Sequence, residues 1–299
     1  MIWYNSYQWD DAIPSSRRSM VATVPQLQPM EGLCSPTEAW LFYWGWSRVY
    51  DLMQPYFTSP EMREAGLELA AVGGPDLEVL DMGAGTGTLS QQVVARGVKK
   101  LTLLDQSAQM LNQARAKPPL ADCNFVLADA SQPLPFDNDS FDRIVSSGFF
   151  YYLPNPVEGL REQMRVVRPG GRVLVMGSLA PKPRLVRLLA QTFNRFPTEE
   201  QYQEWFRDAG LSDIQWKHVT NPWNTQQYAI AICGVKAHGT PQPARPALPS
   251  SAPVARLRRL AYWPVAIARF GVALAAFSIV GPLQIVKAAI GMRRLKANS

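Results

Sequence analysis

Asp81, Gly83, Ala84, Gly85 and Gly87 make a D-x-G-x-G-x-G run, the stretch of this 299-residue chain with the plainest chemical meaning. Glycines at alternate positions let the backbone turn through positive φ and leave no side chain between the main chain and a ligand. The spacing is not that of the dinucleotide fingerprint G-x-G-x-x-G: the third glycine comes one residue early, and Thr88 stands where that pattern wants glycine. No Lys-Ser/Thr pair follows, which excludes a phosphate loop of the nucleotide-triphosphatase kind. A strand-to-helix turn that binds nothing is the plainer alternative. Two further acids bear on the choice. Asp105 follows the glycines at near the roughly 20-residue distance at which a carboxylate meets ribose hydroxyls in nucleotide-binding βαβ units, and it can accept from both hydroxyls at once. Asp129 could accept from an adenine amino group, with Ala130 small enough to leave room for the ring.

These groups need strands to hold them. Val79–Met82 runs as a short buried strand into the glycine turn, and Leu89, Val93 and Val94 start a helical pattern beyond it. Leu101–Asp105, Asn124–Ala128 and Ser140–Ser147 read as the next three strands, and the turn Arg168–Arg172 launches a fifth at Val173–Met176. Ile214–Val219 and Tyr228–Val235 look like a closing pair. The alternation of strands and helices predicts an α/β, doubly wound, mostly parallel seven-stranded sheet with helices on both faces. Ligands in such sheets sit at the carboxyl ends of the strands where the order reverses. Asp81, Gly83, Asp105, Asp129 and Ser147 all fall at or just past such ends.

Two helix starts carry aromatic residues behind them. Ser35-Pro36-Thr37-Glu38 opens a helix with Trp40, Phe42, Tyr43, Trp44, Trp46 and Tyr50, which either packs on the sheet or covers an apolar ring-shaped ligand. Thr198-Glu199-Glu200-Gln201 opens another, with Tyr202, Trp205 and Phe206, that stops at Gly210. Between the fifth strand and this helix, Pro181–Phe193 is an amphipathic insert.

Charge divides the chain. From Ile214 onward there are eleven Lys or Arg and no Asp or Glu, so the first 213 residues hold nineteen basic against 24 acidic groups, a net of −5 in a chain whose total is +6. An acidic body argues against a nucleic-acid partner, and a basic tail suits anionic lipid. Residues 1–33 read as an extension in which Arg17 and Arg18 suggest a transit end while Asp10 and Asp11 argue against one. Residues 34–237 form the α/β domain and 238–254 a proline-rich linker. Residues 255–299 read as a basic-flanked hydrophobic membrane anchor: Phe270–Val286 is free of charge, at the lower limit of about 17 residues for a spanning helix. Spanning and lying flat in the interface both stay open. Cys34, Cys123 and Cys233 have neither metal-ligand spacing nor a disulfide framework, so no metal is expected and a reducing compartment is the simplest inference.

The glycine turn resembles the S-adenosylmethionine loop of class I methyltransferases. The wording around it is more specific. Leu104-Asp105-Gln106-Ser107, Leu134-Pro135-Phe136, Phe196-Pro197-Thr198-Glu199-Glu200, Tyr202-Gln203-Glu204-Trp205-Phe206 and Ala209-Gly210 resemble the plastid 2-methyl-6-phytyl- and 2-methyl-6-solanesyl-1,4-benzoquinol methyltransferases. The resemblance covers about Trp40 to Val219. The chain departs from the family at Tyr151-Tyr152-Leu153-Pro154-Asn155-Pro156, where plant members carry Glu-Tyr-Trp-Pro-Asp-Pro. The resemblance implies S-adenosylmethionine as cofactor, held by Asp81, Gly83, Ala84, Gly85, Gly87, Asp105, Gln106, Asp129, Ala130 and Ser147. It implies ring C-methylation of a prenylated quinol in plastoquinone and tocopherol synthesis, at the chloroplast inner envelope membrane. Removing a phenolic proton pushes electron density onto the ring carbon that takes the methyl. His218 and His238 are the only imidazoles; His218 suits a structural role on its late strand and His238 lies in the linker. Tyr151 and Tyr152, just past the fourth strand, are better placed to bond the quinol hydroxyl. A methyltransferase for another lipid ring or sterol, or a silent membrane-tethered scaffold of the same fold, would keep the same cofactor residues.

Overall fold

The computed structural model describes residues 60–153, 155–180, 196–221 and 224–240. The expected extension 1–33, the aromatic helix from Trp40, the insert Pro181–Phe193 and the anchor 255–299 lie outside the described residues. Among the described residues, no helix is long and apolar enough to cross a membrane.

Runs of aliphatic residues without alternation make strands covered on both faces. The strands are β1 (Glu78–Met82), β2 (Lys100–Asp105), β3 (Asn124–Leu127), β4 (Phe141–Ser147), β5 (Val167–Ser178), β6 (Ser212–Asn221) and β7 (Asn224–Val235); β1, β2, β4, β5 and β7 carry such runs, while the edge strands β3 and β6 do not. The α-helices among the described residues are α1 (Pro60–Leu69), α2 (Thr88–Ala95), α3 (Ala108–Arg115), α4 (Pro156–Val166) and α5 (Glu199–Asp208). The strands form one seven-stranded sheet in the order β3-β2-β1-β4-β5-β7-β6. The pairs among β1 to β5 are all parallel. β7 runs antiparallel to both of its neighbours, so the sheet is mixed. The cause is connection length. Asn221 pairs with Asn224, and two residues can close a hairpin but not the crossover a parallel pair needs.

Each sheet face carries its own core. On one, Leu80, Ile144, Val173, Val175, Ile230 and Ile232 pack against Leu160 and Met164 of α4 and Tyr202 and Phe206 of α5. On the other, Val79, Leu103, Val145, Leu174 and Ala231 meet Leu67 of α1, Val93 of α2 and Leu111 of α3. The helix starts follow local chemistry: Ser107 accepts from Met110 N–H, and Asn155 from Glu158 N–H ahead of Pro156. At α5, Thr198 and Gln201 make both halves of a reciprocal capping box.

β5 differs from its sequence reading. It begins at Val167, not Val173, and Arg168–Gly171 is looped out within it: Phe141 pairs with Val167, but Arg143 with Arg172. The loop is fastened to the end of β7, where Gly170 N–H donates to Lys236 O at 2.7 Å and Lys236 N–H donates to Gly171 O at 3.0 Å. Gly170 takes φ 79 there, which a glycine adopts without strain.

Candidate active site

The strand order reverses at β1, with β2 on one side and β4 on the other, and the glycine turn leaves β1 at that point. Gly83 and Ala84 both donate N–H bonds to Leu104 O, at 2.8 and 3.0 Å, which folds the turn onto the end of β2. Gly83, Gly85 and Gly87 all have positive φ, but space constrains them differently. A Cβ on Gly83 would overlap the Phe149 ring, and one on Gly87 would press Leu120 at 2.5 Å. A Cβ on Gly85 would meet nothing within 4 Å. Two glycines are thus required by packing, and the third keeps an open face.

Asp105 closes that face from the side. Its Oδ2 accepts from Gly85 N–H and its Oδ1 from Ser107 N–H, both at 2.8 Å. Burial pushes its carboxyl up, and the N–H groups of Ser107, Gly85 and Gln106 pull it back. Two carboxylate oxygens offer about four acceptor sites, so capacity for ligand hydroxyls remains. Gln106 is exposed at the rim. Asp129 and Ala130 are buried just past β3, with Asp129 Oδ1 accepting from Ser131 N–H at 2.8 Å. Ser147 ends β4, and its buried Oγ has no hydrogen-bond partner. Tyr151 and Tyr152 belong to a single 3-10 turn, Phe150–Tyr152, beyond β4, where Tyr152 is half-buried.

Asp81 stands apart from this set. It lies within β1, 1 % exposed, and Ser90 Oγ donates to its Oδ2 at 2.6 Å. Its side chain ties α2 to β1 beneath the turn. Burial lifts its pKa to about 7, with the neighbouring charge of Asp105 adding to the rise. His218 is fastened through Nε2 to Glu199 Oε2 at 2.7 Å, joining β6 to the start of α5.

Sequence reasoning missed one device. Glu162 and Arg165, both nearly fully buried on α4, pair at 2.7 Å. Glu162 accepts from Leu134 N–H at 2.7 Å, while Arg165 donates to Leu134 O at 3.1 Å, Phe136 O at 2.9 Å and Asn138 Oδ1 at 2.8 Å. The pair clamps the segment that follows Asp129-Ala130. Its i,i+3 spacing on a helix was a visible signal; its partners, some thirty residues upstream, were not.

The open face at Gly85, the carboxylate beside it and the unpartnered Ser147 hydroxyl line one edge of the sheet and fit a ligand rich in hydroxyl and amino groups. With no phosphate-binding lysine at the turn, fold and site together define the class I S-adenosylmethionine-dependent methyltransferases. Residues 80–175 match a methyltransferase domain family. The chain is 37% identical over 226 residues to the chloroplastic 2-methyl-6-phytyl-1,4-hydroquinone methyltransferase of Arabidopsis thaliana, covering 75% of this chain and 64% of that protein. It therefore spans less than two thirds of that relative's length. It is 30% identical over 193 residues to a demethylmenaquinone methyltransferase of Clavibacter sepedonicus, covering 56% of this chain and 77% of that one. In fold it matches a chain of the Haloferax volcanii complex between the Trm112 methyltransferase activator and a methyltransferase, with TM-score 0.57 at 22% identity, over 67% of this chain and 97% of that one. The chain belongs to the S-adenosylmethionine-dependent methyltransferase family that these relatives share, and S-adenosylmethionine is the cofactor of that class.

Proposed function

We propose that the chain transfers a methyl group from S-adenosylmethionine to a ring carbon of a prenylated 1,4-hydroquinone of the 2-methyl-6-phytyl or 2-methyl-6-solanesyl type. The observation that carries the cofactor half is the Gly85 N–H bond to Asp105 Oδ2 across an open glycine turn at the strand reversal. The acceptor half rests on the likeness to the plant hydroquinone methyltransferase.

In this reading Asp105 accepts from the ribose hydroxyls, with Gln106 at the rim. Asp129 accepts from the adenine amino group beside Ala130. Gly85 lets the main chain approach the ligand, Gly83, Ala84 and Gly87 hold the turn in shape, and Ser147 offers its free hydroxyl from β4. Asp81 acts from below, through Ser90 and α2. The cofactor, when bound, supplies a methyl group already activated on a positively charged sulfur. The protein's task is therefore alignment of two reactants more than activation of a leaving group. Tyr151 and Tyr152, in the turn past β4, bond the acceptor's hydroxyl and fix which ring carbon faces the methyl donor.

A long prenyl tail places the acceptor in a bilayer, which gives the basic, hydrophobic stretch 255–299 a purpose: it keeps the domain 34–237 at the membrane through the linker 238–254. A plastid membrane, the inner envelope, is the matching location. Incubating membranes from cells expressing the full chain with labelled S-adenosylmethionine and a panel of prenyl hydroquinones tests the reading. Label in a ring-methylated hydroquinone is the expected result. Label only in another lipid, or none in any acceptor while the cofactor still binds, would remove it.

A further inference from the structure

Tyr202 carries a hydroxyl that the fold does not use. The side chain is fully buried on α5, and its oxygen has no hydrogen-bond partner. Phenylalanine in the same place would fill the same core without leaving a buried donor unsatisfied. The chain also makes room for that oxygen: Gly177, near the carboxyl end of β5, is where any Cβ would collide with the Tyr202 hydroxyl.

The location is informative. Gly177 follows Met176, whose Cα partner across the sheet is Ser147 at the end of β4. The Tyr202 oxygen therefore sits over β5, one strand beyond β4 and two from the reversal at β1, about 4.8 Å from β4 in the strand-to-strand direction. Its ring meets Trp205 edge-on at 5.3 Å, and Trp205 lies 6.4 Å from Phe150. Phe150 opens the turn that holds Tyr151 and Tyr152. A line of aromatic rings thus leads from the proposed acceptor turn to the unsatisfied phenol.

We infer that the Tyr202 hydroxyl donates a hydrogen bond to a ring oxygen of the acceptor and so helps to select a hydroquinone and set its angle. The inference rests on the function proposed above and names a residue on its acceptor side. Burial pushes the Tyr202 phenol far up. It stays protonated at any working pH and acts as a donor, not as a base. A 1,4-hydroquinone has two hydroxyls, so the turn past β4 and α5 can each take one.

The test is Tyr202→Phe in the full chain, assayed in membranes with labelled S-adenosylmethionine. The acceptors are a prenylated 1,4-hydroquinone and its two mono-deoxy phenols. The wild type is expected to prefer the hydroquinone over one of the two phenols by about tenfold, the usual scale of one hydrogen bond to a buried partner. Tyr202→Phe should lose that preference through the acceptor KM, while cofactor affinity and thermal midpoint hold or the midpoint rises. An active wild type with an unaffected variant would overturn this inference alone. So would a variant that loses rate equally on all acceptors with a lowered midpoint, because that is damage to the core. A wild type inactive on every hydroquinone would overturn the proposed function and this inference together.

Discussion

On the cofactor side of the proposed site, the open turn at Gly85 and the Asp105 carboxylate come from one βαβ unit, β1 to β2, and main-chain hydrogen bonds hold them together. On the α5 side are large aromatic side chains from Phe150, Tyr202 and Trp205, with Gly177 leaving room for the Tyr202 hydroxyl, and these meet only when the sheet is complete. The first half is fixed by main-chain geometry and tolerates little change in residue type. The second is fixed by packing, and its chemistry can change while the fold stays. The difference matches the division of labour proposed here: an invariant cofactor on one side, a particular lipid quinol on the other.

Arg165→Met should have the largest effect and would blur the division. It leaves Glu162 charged, buried and unpaired, which costs about 3–5 kcal/mol. It also removes the donor to the Leu134 and Phe136 carbonyls and to Asn138 Oδ1, in the segment that follows Asp129-Ala130. Denaturant unfolding should show the stability loss, and calorimetry should show weaker S-adenosylmethionine binding. Unchanged affinity in the surviving folded fraction would mean that the cofactor half needs no support from α4.

Asp81→Asn asks whether the cofactor half is arranged for stability at all. Asp81 titrates near 7 in the folded chain against an ordinary 3.8, so between those values the folded chain holds the extra proton. Stability therefore falls as pH rises from about 4 to 7. Asn carries no charge to bury, so the variant should be more stable at pH 7, by up to about 4 kcal/mol at 1.36 kcal/mol per pKa unit. Asp105, raised for the same reason, leaves a residual slope. Equal unfolding free energies for both proteins at pH 5 and pH 8 would show that Asp81 pays no such cost.

Asp105→Ala is more local. It removes the charge-assisted acceptor beside Gly85 and should weaken S-adenosylmethionine binding by about 1.5–3 kcal/mol. The acceptor KM at saturating cofactor should hold. Calorimetry showing an unchanged cofactor affinity would detach Asp105 from the site.

The contrast also explains what was legible in the chain. Strand ends, the glycine turn and the spacing to Asp105 are local patterns, so the strands of the sheet and the placing of Asp105 beside the turn could be read directly. The different tasks of the three glycines could not, because they depend on Phe149 and Leu120, which arrive from other elements. Asp81 was grouped with the ligand residues by position along its strand. The pleat turns it instead to Ser90, and strand alternation alone does not say which of two buried faces holds the site. The looped-out Arg168–Gly171 read as a simple turn because its anchor, Lys236, lies far along the chain. Tyr202 stood in the sequence only as one aromatic of the helix after Thr198, and the packing alone shows its oxygen without a partner.

Thr198→Ala should have the smallest effect and gives the finest test of the division. Thr198 accepts from Gln201 N–H at 3.3 Å while Gln201 Oε1 accepts from Thr198 N–H at 2.9 Å, so the substitution undoes half of the box that starts α5. Loss of such a cap costs about 1 kcal/mol. The loosened turn contains Glu199, which is held to His218, and Tyr202 lies one turn further on. Among the described residues, Gly85, Asp105 and Asp129 take their partners not from this turn but from the ends of β1, β2 and β3 and the loops there. The acceptor KM should therefore rise by a few-fold while S-adenosylmethionine affinity stays level. Parallel weakening of both would show that α5 supports the whole edge of the sheet, and the two halves would then have to be treated as one cooperative site.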